Sequence, residues 1–299
     1  MSRLSLADAP TLDLVEESKI YKLLAGSTED DTIDASGICV MNGNYYATFE
    51  DTAHIARFGP SLSADDPANA LYRQPDDDIG REDITYDATL GRFLVITEAV
   101  RAGNGAFKPK VTAYDRQLRF VEESQLDFPL EGKHKGMEGL ASVIRQGQPY
   151  LLGLCEGNHC QGGRRGRRPG GGRIQVFQRA RGYWAHVDTI VLPETLPFEN
   201  YSSVTLRDNK LAVLSRNASA VWLGELSTDQ WDIVGQGTIY RFPVTKKGKI
   251  AYCAVDGICW LSDNSFVAIS DRSRSTFGFQ RRCRKKDQSV HVFRFPDVD

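Results

Sequence analysis

Little in this chain marks it for a membrane, for export or for nucleic acid. Residues 1–10 lack the basic start and apolar run of a secretory signal, and nowhere do about 18 apolar residues follow one another. Lys+Arg number 37 against 39 Asp+Glu, a formal net charge of −2, which gives no global pull toward polyanions. No G-x-S-x-G elbow, P-loop or dinucleotide fingerprint is present, so covalent serine catalysis and the common nucleotide cradles find no support. Cysteines are few, 6 in 299 residues. Cys39, Cys155, Cys160, Cys253, Cys259 and Cys283 include several inside apolar runs, where a free thiol behaves as a small hydrophobe. These features lead us to expect a soluble protein of the reducing cytoplasm whose cysteines mostly pack the core. No long amphipathic helical pattern breaks the chain, and we expect one domain over 1–299 with residues 1–12 as a loose tail.

What is present is a repeat. Ser36-Gly37-Ile38-Cys39-Val40-Met41-Asn42-Gly43-Asn44 returns as Asp256-Gly257-Ile258-Cys259-Trp260-Leu261-Ser262-Asp263-Asn264. Weaker copies begin at Glu82, Glu138 and Ser202, so the starts lie 46 to 64 residues apart. Each unit reads as a polar residue, a short strand, a turn such as Asn42-Gly43 or Gln146-Gly147, and a strand apolar on both faces. Those second strands are residues 45–49, 93–97, 150–155, 211–215 and 266–270. With third and outer strands following, each repeat holds about four antiparallel strands. The expectation is an all-β fold, a β-propeller, with five blades favoured over six. Residues 13–24 are expected to close the last blade against residues 290–295.

In a propeller the first strand of each blade lines the central channel. Ser36, Glu82, Glu138, Ser202 and Asp256 then meet at one mouth, with Asp34, Asp83 and Ser203 beside them. The ends of the second strands, Glu50, Asp51, Glu98, Glu156, Arg216 and Asp271, arrive at the same end. Crowded carboxylates repel one another unless a cation or a donor neutralises them. We therefore expect Glu82, Glu138 and Asp256 to hold a divalent cation, calcium or magnesium; the alternative is that the acids cap blades by accepting loop amides.

Glu138-Gly139-Leu140-Ala141, with Cys155-Glu156 ending the next strand, resembles the paired acidic signature of the SdiA-regulated and esterase-like phytase propellers. The resemblance covers two blades directly. It implies phosphate-ester or carboxyl-ester hydrolysis with a divalent cation, and it carries over to Glu138 and Glu156. Ser36 and Ser202 depart from a full acidic ring.

Two loops are unusually basic, residues 161–173 with Arg164, Arg165, Arg167 and Arg168, and the stretch holding Arg272, Arg274, Arg281, Arg282, Arg284, Lys285 and Lys286. Guanidinium forks match phosphate and carboxylate oxygens. The leading expectation is a divalent-cation hydrolase acting on an anionic small substrate. Glu156 or His159 activates water, Arg164, Arg165, Arg216 and Arg272 orient the anionic group, and Tyr201 and Tyr252 form a platform. The other readings are a propeller that binds a peptide, protein or small ligand without catalysis, RNA held by the Gly/Arg loop, and zinc on Cys155, His159 and Cys160.

Overall fold

The computed structural model describes residues 4–31, 33–74, 79–103, 105–133, 136–157, 160, 168–272 and 281–296. It is an all-β propeller. The first strand, β1 (Asp13–Lys19), is followed by four meanders in which each strand pairs antiparallel with the next. Blade 1 is β2 (Ala35–Met41), β3 (Asn44–Phe49), β4 (Ile55–Phe58) and β5 (Ala70–Tyr72). Blade 2 is β6 (Arg81–Asp87), β7 (Arg92–Arg101), β8 (Phe107–Tyr114) and β9 (Phe120–Asp127). Blade 3 is β10 (Met137–Arg145), β11 (Gln148–Cys155), β12 (Arg173–Arg179) and β13 (Trp184–Val191). Blade 4 is β14 (Tyr201–Arg207), β15 (Lys210–Ser215), β16 (Ala220–Leu226) and β17 (Ile233–Arg241). Blade 5 is β18 (Val255–Ser262), β19 (Ser265–Ser270) and β20 (Ser289–Arg294), with β1 as its outer strand. A short parallel pairing of Trp184 and Ala185 with Leu126 and Asp127 joins the rims of blades 2 and 3.

The local chemistry of the hairpins explains the meanders. Asn42 and Gly43, and Gln146 and Gly147, both take positive φ in succession, the backbone that suits a two-residue hairpin turn. The second strands β3, β11, β15 and β19 then run almost wholly buried. The core is correspondingly divided among the blade interfaces. Cys39, Tyr46, Ile55, Ile84, Phe93 and Tyr114 pack blades 1 and 2; Leu94, Ile96, Leu140, Leu151 and Trp184 pack blades 2 and 3. Leu154, Ile174, Val213 and Trp222 join blades 3 and 4, Leu214, Phe266 and Phe293 blades 4 and 5, and Ile269, Val290, Ile38 and Ala47 blades 5 and 1. Each fully buried side chain of this kind contributes about 1.5–3 kcal/mol, so the interfaces hold the ring shut.

The ring closes by chain ends. β1 pairs with β20 from Asp13 with Arg294 to Lys19 with Ser289. Lys19 Nζ donates to Asp287 Oδ1 at 3.0 Å, and Glu17 accepts from Lys286 and from His291 Nδ1. The hydrogen bond from His291 leads in holding the Glu17 carboxyl down at about 2, against its burial. The end of the segment expected to be loose is docked: Leu12 N donates to the Arg241 carbonyl at 2.9 Å, Arg241 N donates to the Pro10 carbonyl at 2.9 Å, and Leu12 is buried; residues 1–3 lie outside the described residues.

The cysteine reading needs correction. Cys155 bonds Cys160, and Cys253 bonds Cys283, leaving Cys39 and Cys259 as free thiols among the described residues. Pairing was hidden because Cys155 ends an apolar strand, Cys253 precedes β18 and Cys283 lies in a short helical turn, Arg281–Arg284, so neither pair has a sequence pattern of its own. No helix among the described residues is long and apolar enough to cross a membrane.

Candidate functional site at the channel mouth

The inner strands touch in a cycle: β2 on β6, β6 on β10, β10 on β14, β14 on β18, and β18 back on β2. In every one of them the register slips at the strand start, at Ser36, Glu82, Glu138, Ser202 and Asp256, and β18 slips again between Trp260 and Ser262. Each of these is the extra residue of a β-bulge, a device that re-aims a side chain at a strand end. The structure thus makes the five positions equivalent around one opening. A second ring lies beside it. Glu50, Glu98, Glu156 and Asp271 follow the second strands, and their amides donate to the carbonyls of Asp34, Gly80, Gly136 and Ala254 at 2.8, 3.1, 3.2 and 2.8 Å. Arg216 takes the fifth place, following Ser215, which pairs with Tyr201.

The channel has a floor. The residue after each bulge is small except one: Gly37, Asp83, Gly139, Ser203 and Gly257. A Cβ on Gly37 would lie 2.4 Å from Asp83 Oδ1, and one on Gly257 would lie 2.9 Å from the Gly37 Cα. Asp83 fills the space those glycines leave. It accepts from Ile84 N at 2.8 Å, Leu140 N at 2.9 Å and the Ser203 hydroxyl at 3.2 Å. Ser203 in turn accepts from Ile258 N at 3.2 Å. Burial pushes the Asp83 carboxyl well above the usual carboxylate range, against the pull of those donors. This floor was not anticipated as such, although the glycine after the bulge in three of the five repeats is a readable sign of close strand approach.

Above the floor, Arg216 sits between two acids. Its Nη1 donates to Asp256 Oδ2 at 2.8 Å and its Nη2 to Asp271 Oδ2 at 2.7 Å. Burial opposes the charge on Arg216, but Asp256 and Asp271 outweigh it and raise its pKa further. Burial pushes Asp271 up to about 7 despite Arg216, with Asp256 and Asp34 adding to the effect. The Arg216 side chain is 27% accessible, Asp256 18% and Asp271 3%, so Arg216 and Asp256 face the opening and Asp271 lies beneath them.

The expected metal set is not assembled. Among the described residues no three carboxylate, imidazole or thiolate side chains gather to hold an ion, and Asp256 accepts from Arg216. Glu98 instead caps the neighbouring blade, accepting from Gly136 N at 2.8 Å. Glu156 is buried at the end of β11. Tyr201 and Tyr252 are buried too: Tyr201 packs on Phe198, and Tyr252 packs among Phe242, Phe293 and His291, so neither presents a platform. Arg272 is exposed beside the mouth and its amide donates to Asp271. The zinc reading falls, since both thiols it needs form the Cys155–Cys160 disulfide. His159, Arg164 and Arg165 lie outside the described residues.

Both disulfides stand at the roots of the basic segments. Cys160 precedes residues 161–167 and is tied to the end of β11; Cys283 follows residues 273–280 and is tied to the residue two before β18. Within the second segment Lys286 is used structurally, paired with Glu17 and lying 5.2 Å over the Tyr252 ring.

No family model matches this chain, and no curated protein matches its sequence. Among solved structures, glutaminyl cyclase of Myxococcus xanthus superposes with a TM-score of 0.57 at 12% identity, over 97% of this chain and 98% of that one. The calcium-binding protein regucalcin of Agrobacterium tumefaciens gives 0.49 at 7% identity, over 96% and 97%. A luciferin-regenerating enzyme gives 0.49 at 13% identity, over 95% of both chains. At these identities the first likeness speaks to fold alone, and the class that fold and geometry define is a β-propeller with a carboxylate and arginine mouth over a closed floor.

Proposed function

We propose that the protein is a hydrolase of small anionic esters working at this mouth. The observation that carries the reading is the Asp256–Arg216–Asp271 triplet, open to solvent on one side and holding a carboxyl near neutral pKa on the other. Asp256 takes a proton from the attacking water and returns it to the leaving oxygen as the ester breaks into acid and alcohol. Arg216 faces the developing oxyanion. Asp271 sets the availability of Arg216. When neutral it releases a guanidinium N–H for the substrate, and when ionised it closes the triplet. The resemblance of Glu138-Gly139-Leu140-Ala141 and Cys155-Glu156 to ester-hydrolysing propellers supports the reaction class, and the basic segments rooted at the mouth support an anionic substrate. The residues do not fit a metal shared by Glu82, Glu138 and Asp256, and no step is routed through one. The two disulfides favour an oxidising compartment over the cytoplasm.

The test is a panel of nitrophenyl phosphates and carboxylate-bearing esters. Turnover should show a KM that rises as pH climbs through about 7, and Asp271→Asn should flatten that rise. No turnover of any member, or a KM indifferent to Asp271, would end the reading. A cleft of about 300 Å³ between Leu6, Phe242, Val244 and Ile250, edged by Asn217 and Arg241, favours a second reading as a binding propeller for a peptide or small ligand.

A further inference from the structure

The bulge ring is made of oxygen donors, and the expectation of a metal followed from that. The structure contains a different answer to the same electrostatic demand. Arg216 comes from blade 4 and reaches across to blade 5, where it meets Asp256 from the bulge ring and Asp271 from the strand-end ring. Glu50 of blade 1 lies close enough to add to its charge stabilisation, and Asp34 acts on Asp271. On either side of Asp256 around the ring stand Ser202 of blade 4 and Ser36 of blade 1. Both are buried, at 6% and 5% exposure, and neither hydroxyl has a hydrogen-bond partner among the described residues. Buried hydroxyls are rarely left so. Two carboxylates, a third nearby and two unpaired hydroxyls are the hard oxygen set that a cation of the calcium type takes.

We infer that Arg216 is the resident counter-ion of the mouth, standing where a divalent cation would otherwise bind, and that removing it opens a calcium site on Asp256 and Asp271 with Ser36 and Ser202 beside them. The guanidinium and the ion exclude each other because both need the same carboxylate oxygens. A planar fork with two N–H groups satisfies Asp256 and Asp271 at once, whereas an ion in the same place also draws in the hydroxyls. The inference goes beyond the hydrolytic reading and is tested without any substrate.

Calcium titration by calorimetry reads it, with terbium luminescence as a second probe. Wild-type protein should take up no stoichiometric calcium at the mouth. Arg216→Gln should bind one calcium at least tenfold more tightly than wild type, Arg216→Lys should keep calcium out, and Arg216→Gln with Asp271→Asn should lose the gained site. One tightly held calcium in wild type would overturn the inference, as would Arg216→Gln binding no better than wild type while melting as a folded protein. If Arg216→Gln fails to fold, Arg216→Met, which keeps most of the side-chain stem, takes its place in the same titration with the same two outcomes.

Discussion

Replacing Asp83 by alanine should be among the most damaging changes to this fold that leaves the mouth side chains in place. Its carboxyl holds three donors, Ile84 N at 2.8 Å, Leu140 N at 2.9 Å and the Ser203 hydroxyl at 3.2 Å, and through them ties inner strands of blades 2, 3 and 4. A buried donor left unsatisfied costs about 1–3 kcal/mol, so with Ser203 free to turn the two remaining amides give about 2–6 kcal/mol. Unfolding entropy of about 2.1 cal/mol/K per residue makes each kcal/mol worth about 1.6 °C in a chain this long. Asp83→Ala should therefore lower Tm by about 3–10 °C in a calorimetric scan. Asp83→Asn keeps one acceptor oxygen and the shape, and should lose less than half as much. The pH dependence has a definite sign. Burial raises the Asp83 pKa, so above about pH 4 the unfolded chain gives up a proton that the folded one keeps, and stability falls with rising pH. Asp83→Asn should remove that component of the slope. An alanine variant melting within about 2 °C of wild type, or an asparagine variant as damaged as alanine, would refute the floor as described.

Other outcomes follow from the same geometry. Asp256→Asn should lower kcat by about 10²–10⁴-fold with little change in KM, measured on whichever ester is turned over. Glu17 is held at about 2 by His291 and Lys286, so its contribution to closing the ring is present above the unfolded carboxylate range and lost as pH falls toward 2. Glu17→Gln lacks that latch and should unfold at higher pH than wild type in an acid titration followed by circular dichroism; an unchanged acid midpoint would argue against it. Cys253 and Cys283 close a sequence separation of 30, and Cys253→Ser with Cys283→Ser should cost about 2–4 kcal/mol in denaturant unfolding under non-reducing conditions. A variant as stable as wild type would deny the crosslink a structural role.

The strand starts were legible because a bulge repeats with the blade: Ser36-Gly37 and Asp256-Gly257 announce both the turn of a side chain toward the channel and the close approach of the next residue. The closing strand was legible for the same reason, as residues near 13–24 supply what the last repeat lacks. The counter-charge was not. Arg216 and Asp256 are 40 residues apart and Arg216 and Asp271 are 55 apart, and nothing in either local stretch says that the guanidinium turns inward instead of toward solvent. Tyr201 and Tyr252 misled because a residue at or just before the start of an inner strand can face the mouth or the blade interface, and apolar neighbours such as Phe198 and Phe242 decide for the interface.

The most direct test of the mouth is the ionisation of Asp271, followed by the carbon-13 shift of its carboxyl as pH is raised in wild type, with Asp271→Asn used for assignment. A midpoint near 7 is predicted, from a carboxyl buried beneath Arg216 and beside Asp256. A midpoint near 4, the range of an ordinary exposed aspartate, would mean that Asp271 stays ionised at neutral pH and leaves Arg216 permanently engaged.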